Sequence, residues 1–147
     1  MDSHRKTTMI LEDLKINVKI KLAALWAAMM FCYVYKDFLS LYKPGWVEKI
    51  IAGDVPLGSQ ESLLGAAILM AIPSVMIFLS VILPSGVNRS ANIIIGIVYT
   101  AVNVAAFIEP PGAYYVFFGI VEVAVTLLIV WHAWKWPRQE ERKVVTT

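Results

Sequence analysis

The 147-residue chain carries too few charged residues for a water-soluble domain of this size. Hydrophobic residues make up 59% of it, charged residues 16%, and the mean hydropathy is +0.67, whereas a soluble domain needs more polar side chains to cover its surface. The single cysteine, Cys32, excludes an intramolecular disulfide and a cysteine-cluster metal site. A net charge of +2 gives no indication of nucleic-acid binding. Composition therefore predicts an integral membrane protein.

Four apolar segments approach or reach the length of about 20 residues that a helix needs to cross a bilayer. We expect the first to be retained rather than cleaved as a signal peptide, because its apolar character continues past any plausible cleavage position. Short connections between the later segments favour antiparallel neighbours. The sequence therefore predicts an all-α membrane protein, a single domain over 1–147 with four transmembrane helices in an up-down antiparallel bundle, at about 18–41, 62–83, 90–108 and 112–136.

The long first loop contains the pattern of a short amphipathic helix at about 45–52. Pro44 suits the first turn of a helix, and four apolar residues then fall on one helical face: Trp46, Val47, Ile50 and Ile51. We interpret this segment as a helix lying at the outer membrane interface. The alternative is an ordinary ordered loop.

Lysine and arginine are distributed unequally between the two sides of these spans. Five lie in the N-terminal leader, four lie in the C-terminal tail and Arg89 lies in the second loop, whereas the opposite side holds only Lys36, Lys43 and Lys49. Positively charged residues are retained on the cytoplasmic side of a membrane. Both termini are therefore expected to face the cytoplasm.

Polar and small residues recur at helical spacing inside three of the spans, and such faces pack against other helices within a membrane. Depth along the helices, at about 1.5 Å per residue, predicts that some of these groups converge in the outer half of the bundle. The candidate ligand-binding residues are Tyr33, Asp37, Tyr99, Asn103 and Glu122.

Glu122 is the central member of this set, because an acid inside a span is a functional candidate by default. We expect it to be neutral unless Lys36 or another cation reaches it. Two roles remain open. Glu122 either fastens helices together, or it binds a polar ligand group or relays a proton.

Pro73 lies in the middle of the second span, where it removes the hydrogen bond to the carbonyl of Leu69. Ser74 is the expected partner for part of the freed backbone. A bend here either opens a cavity or is only tolerated geometry.

Several strings in the chain resemble a family of small bacterial four-helix membrane proteins of unknown function: Y-V-Y-K-D-F-L-S-L-Y at 33–42, L-L-G-A-A-I-L-M-A-I-P at 63–73, N-R-S-A-N-I-I-I-G-I at 88–97 and Y-Y-V-F-F-G-I-V-E at 114–122. The resemblance implies four spans in the cytoplasmic membrane of a bacterium and motif positions at Trp26, Tyr33, Asp37, Pro73, Asn92, Glu122 and Trp134. Cys32 and Lys36 depart from it, since an asparagine and a small residue are expected there. A looser likeness to DoxX-like membrane proteins concerns size and number of spans alone.

Three classes of function remain open. The first is the binding of a small molecule or lipid at the outer polar site, and the second is a structural subunit that docks another copy or a membrane partner. A membrane enzyme is the weakest, because the sequence contains no nucleophile–base pair, no metal-ligand spacing and no phosphate loop. We therefore expect the lipid bilayer as a partner, and we expect no catalytic residue, metal, cofactor or nucleic acid.

Overall fold

The computed structural model describes residues 15–107 and 112–137, and within these ranges the chain forms five α-helices and no strand. The basic leader, the third loop with the end of the third predicted span (108–111), and the tail from 138 onward lie outside the described residues. The helices are α1 (Val18–Ser40), α2 (Trp46–Ala52), α3 (Gln60–Ile82), α4 (Ser85–Ala105) and α5 (Ala113–Trp134).

Helix α4 begins five residues before the start predicted at residue 90, which leaves only Leu83 and Pro84 between α3 and α4. The sequence prediction placed Asn88 and Arg89 in the second loop, before a span that begins at residue 90. Both are helical because neighbouring helix ends satisfy them: the Asn88 amide donates to the Ser80 carbonyl at 2.6 Å, and Arg89 Nε donates to the Ala133 carbonyl at 3.2 Å.

The short helix α2 lies between two glycines in the left-handed region, Gly45 at φ 74° and Gly53 at φ 72°. Side chains with a Cβ rarely adopt this backbone conformation, so the glycines fix where the helix begins and ends. None of its residues is buried against the rest of the protein. The helix begins at Trp46, one residue after the predicted start at 45, and ends at Ala52 as predicted.

The four long helices pack side by side, with α1 against α3 and α5, and α5 against α4, whereas α3 and α4 contact each other much less. Contacts between α1 and α5 run antiparallel, since Lys36 meets Glu122 and Ser40 meets Tyr114. We call the end where α1 and α4 begin the basic end, because five described cations lie there: Lys15, Lys19, Lys21, Arg89 and Lys135. The opposite end, where α1 and α4 finish, is the α2 end.

Helix α4 buries its polar face and exposes its apolar face, the reverse of a helix at the surface of a soluble protein. The buried face of α4 consists of Asn88, Asn92, Gly96, Tyr99 and Asn103, while its outward face is apolar and exposed, with Ile94, Ile97, Val98 and Val104 each more than half exposed. A polar interior beneath an apolar surface is typical of a protein surrounded by lipid.

Three of the helices are long and apolar enough to cross a membrane: α1, α3 and α5. Helix α4 has a comparable length of 21 residues. Its three asparagines and Arg89 lower its average hydropathy, and all three asparagines face the interior.

The carbonyl that Pro73 leaves without a backbone donor is satisfied from another helix. The Tyr99 hydroxyl on α4 donates to the Leu69 carbonyl on α3. The prediction assigned this part to Ser74, but the Ser74 hydroxyl donates instead to the carbonyl of Met70, at 2.9 Å. Pro73 is therefore coupled to the packing of α3 on α4 through Tyr99.

Candidate functional site

A buried ion pair joins α1 to α5. Lys36 Nζ lies 2.7 Å from Glu122 Oε2, and the exposed fractions of the two side chains are 8% and 1%. This satisfies the condition under which Glu122 was expected to be charged, because Lys36 reaches it. Charge-assisted hydrogen bonds of this length are among the strongest in proteins.

Two tyrosine rings hold the Lys36 ammonium in place. Its nitrogen lies 4.9 Å from the ring centroid of Tyr33 and 4.7 Å from that of Tyr115. The negative faces of aromatic rings attract a cation at this range. The ammonium is thus surrounded by one carboxylate and two π-systems contributed by α1 and α5.

The Tyr33 hydroxyl extends the cluster to α4, where it donates to Asn103 Oδ1 at 2.5 Å. Two polar atoms of the cluster are buried and have no hydrogen-bond partner among the described residues: Asn103 Nδ2, a donor, and Glu122 Oε1, an acceptor. Leaving such a group unpaired costs about 1–3 kcal/mol. The cluster therefore contains one buried donor and one buried acceptor that are not paired within the described part of the chain.

One turn closer to the α2 end, Ser40 and Tyr114 lie between the ion pair and the helix ends. The Ser40 hydroxyl donates to the Lys36 carbonyl and lies 3.0 Å from the Tyr114 hydroxyl. Because the single hydroxyl hydrogen of Ser40 is used by that carbonyl, Tyr114 is the donor to Ser40. Both residues are only partly buried, so this pair forms the outermost polar contact of the site.

Of the five predicted site residues, Tyr33, Asn103 and Glu122 belong to this cluster. Tyr99 is buried, but it packs edge-on against the Trp26 ring with the centroids 5.9 Å apart. Asp37 is exposed: it follows Lys36 directly, and adjacent residues on a helix point about 100° apart.

Sequence reasoning left Lys36 and Tyr115 out of the site. Both 3- and 4-residue steps from Tyr33 stay on one helical face, so Lys36 and Asp37 were equally compatible with the stripe. The buried residues of α1 are Leu22, Trp26, Met29, Tyr33 and Lys36. The buried face therefore runs from Met29 through Tyr33 to Lys36, and this rotation of α1 about its axis selects Lys36 over Asp37.

A second polar network, nearer the basic end, is closed on itself. Trp26 Nε1 donates to Asn92 Oδ1 at 2.7 Å, the Asn92 amide donates to Asn88, and the Ser80 hydroxyl reaches Asn92 Oδ1 at 3.3 Å. Its buried side-chain atoms all have partners. This network fastens α1, α3 and α4 together, and it contrasts with the incomplete cluster around Glu122.

These features define a helical protein with a polar interior and three helices suited to crossing a membrane. Residues 9–143, nearly the whole chain, match the family of unknown function DUF6326, and the protein belongs to that family. The expected membership of an uncharacterised family is thus confirmed. No curated protein and no solved structure matches the chain, and the likeness to DoxX-like proteins stays a prediction.

Proposed function

We propose that this is a multi-pass protein of a bacterial cytoplasmic membrane, with four spans and both termini in the cytoplasm. The support for α4 as the fourth span is its length and the apolar character of its exposed face. At about 1.5 Å per residue its 21 residues extend roughly 30 Å, the thickness of a hydrocarbon core. Its polar side chains face other helices, so they need no contact with lipid.

The distribution of charge supports the proposed orientation. Among the described residues, the basic end carries five cations and no carboxylate, whereas Asp37, Glu48, Asp54 and Glu61 lie toward the α2 end. This is the asymmetry expected when the basic end is cytoplasmic. The α2 end then faces outward, with α2 at the outer interface.

We further propose that the cluster around Lys36 and Glu122 binds a small polar molecule or a lipid headgroup. The observation that carries the proposal is the pair of buried, unpartnered atoms, Glu122 Oε1 and Asn103 Nδ2. A hydroxyl or amide group can donate to the first and accept from the second. Such a ligand would complete the site without disturbing the ion pair.

A structural role is the second candidate, favoured by the closed network at Asn92. Polar residues there only connect helices, and the Lys36–Glu122 pair connects α1 to α5 in the same manner. A buried ion pair, however, adds little to the free energy of unfolding. The cost of removing both charges from water offsets their attraction, so replacing the pair with apolar residues is often neutral or stabilising. A charged pair whose hydrogen bonding is incomplete among the described residues therefore favours ligand binding over a purely structural role.

The double variant Lys36→Met with Glu122→Leu separates the two roles. It removes both charges together and keeps two bulky apolar side chains, so we expect the fold to survive. Native mass spectrometry of the purified protein should detect a bound non-protein mass on the wild type that the double variant lacks.

The matched control is Thr100→Val, which removes a polar contact of 2.9 Å between α4 and α5 and leaves the Thr126 hydroxyl on the Glu122 carbonyl. This control should retain the bound mass. Equal occupancy in the wild type and in the Lys36/Glu122 variant, or none in either, would leave the structural role as the correct one.

A further inference from the structure

A cleft of about 1140 Å³ opens at the basic end, far from the Lys36–Glu122 cluster. Its walls come from the start of α1, the start of α4 and the segment that ends α5. Three cations line it, Lys15, Lys19 and Arg89, and the part of the chain that the structure describes contributes no acidic residue to the lining. Its chemistry therefore suits an anion.

The cations of the cleft retain hydrogen-bonding capacity. Arg89 donates from Nε to the Ala133 carbonyl, and the four N–H groups of its two terminal nitrogens have no partner among the described residues. Lys19 donates to the carbonyls of Val81 and Leu83, so its charge is held at the cleft by neutral acceptors. No carboxylate of the described residues forms an ion pair with either of them.

Helix α4 adds to the positive potential of the cleft. Its N-cap, Pro84, provides no side-chain hydrogen bond, so the first-turn N–H groups at Ser85 and Gly86 have no side-chain partner in the ranges 15–107 and 112–137. The start of a helix carries a partial positive charge and exposed N–H donors, which together favour phosphate groups. Gly86 borders open space, since a Cβ added there would meet nothing within 4 Å.

Two tryptophans, Trp134 and Trp136, complete the lining. The side chain of Trp134 is 67% exposed. Lys135 lies between the two tryptophans in the sequence, and its ammonium is 3.9 Å from the ring centroid of Trp131. Tryptophan concentrates where hydrocarbon meets headgroups. A phosphate in this cleft would therefore be accompanied by apolar contacts along its edge.

We propose that the cleft at the basic end binds the phosphate-bearing headgroup of an anionic phospholipid in the cytoplasmic leaflet. The inference rests on the proposed membrane orientation, but it does not depend on any ligand at Glu122. Arg89 and the α4 N-terminus contact the phosphate, Lys15 and Lys19 provide further positive charge, and the tryptophans lie beside the acyl chains.

The test is native mass spectrometry of the full-length protein with phosphatidylglycerol, phosphatidylcholine or inorganic phosphate. We expect retention of phosphatidylglycerol over phosphatidylcholine. Lys15→Gln with Arg89→Gln should weaken that retention by about fivefold for each cation removed. The matched control, Lys43→Gln with Lys49→Gln, lowers the net charge equally at the α2 end and should bind as the wild type does.

Gly86→Glu is a second variant, which distinguishes loss of lipid binding from misfolding. It places a carboxylate in the open space of the cleft, and an acid in the first turn of a helix stabilises that helix. Its thermal unfolding midpoint should match or exceed that of the wild type while phosphatidylglycerol retention is lost.

Four results would overturn the proposal. The wild type could retain the two lipids equally, or Gly86→Glu could retain phosphatidylglycerol as the wild type does. The α2-end control could lose as much retention as the Lys15/Arg89 variant, or millimolar inorganic phosphate could displace the lipid. The last would show that the cleft selects phosphate rather than a lipid. The Lys36/Glu122 variant lies at the other end and should retain phosphatidylglycerol, so failure of one proposal is distinguishable from failure of the other.

Discussion

Lys36 and Glu122 illustrate how a buried charge is tolerated at the level of single residues. Each would be unfavourable alone in a low-dielectric interior. Together they form a contact of 2.7 Å, and the rings of Tyr33 and Tyr115 surround the ammonium. The second carboxylate oxygen, Glu122 Oε1, has no hydrogen-bond partner within the described ranges of the chain.

Removing one member of the pair should be much more harmful than removing both. Glu122→Leu leaves the Lys36 ammonium buried without an anion, and we expect a loss of about 3–5 kcal/mol in the free energy of unfolding. Glu122→Gln should lose less, because its amide oxygen still accepts a hydrogen bond. The double variant with Lys36→Met should recover most of the loss.

Equilibrium unfolding in mixed micelles measures these differences. The control is Asp37→Asn, which changes an exposed carboxylate beside Lys36 and should be nearly neutral. A double variant as unstable as Glu122→Leu alone would contradict the ion-pair account.

At the scale of helices, Pro73 and Tyr99 form a matched pair. The proline removes the backbone donor for the Leu69 carbonyl, and Tyr99 supplies a replacement from α4. In the wild type, Tyr99→Phe should therefore cost about 1 kcal/mol. In a Pro73→Ala background the helix regains its own donor, and the same change should cost much less.

A double-mutant cycle on the free energy of unfolding measures this coupling. Ser74→Ala serves as the control, because the Met70 carbonyl that it bonds also lies within reach of a backbone donor in the helix. An equal cost of Tyr99→Phe in both backgrounds would show that the two residues are independent.

Gly96 sets how closely α4 approaches α5. A Cβ at this position would lie 2.8 Å from Val130 Cγ2, so Gly96→Ala should separate the two helices and destabilise the protein by about 1–3 kcal/mol. Adding Val130→Ala should relieve most of that overpacking, as measured by thermal unfolding. If Gly96→Ala is neutral and Val130→Ala gives no relief, the close approach is not required.

The sequence was sufficient for the number and approximate bounds of the helices, because apolar runs and glycine or proline breaks signal them directly. It was sufficient for Tyr33, Asn103 and Glu122 as neighbours, since depth along a helix follows from residue count. It was not sufficient to identify Lys36 rather than Asp37 as the neighbour of Glu122, or Tyr99 rather than Ser74 as the donor to the Leu69 carbonyl. Both depend on the rotation of each helix about its own axis. Rotation is set by packing between helices, and helical spacing leaves it uncertain by about one residue.

On the scale of the whole molecule, the proposed topology places the basic end in the cytoplasm and α2 outside. Alkaline phosphatase fused within the first loop should be active, whereas fusions at Pro84 and after Lys135 should be inactive. A green fluorescent protein at the C-terminus should fluoresce, since it folds in the cytoplasm. An active phosphatase after Lys135 would contradict the assignment of α4 as a fourth span, because three crossings by α1, α3 and α5 would place that end of the chain outside.

The central claim is that the incomplete cluster around Glu122 accepts a ligand, and a high-resolution structure of the purified full-length protein tests it most directly. We predict non-protein density larger than a water molecule, within hydrogen-bonding distance of both Glu122 Oε1 and Asn103 Nδ2. Density of a single water there, or pairing of both atoms with protein groups, would contradict the claim.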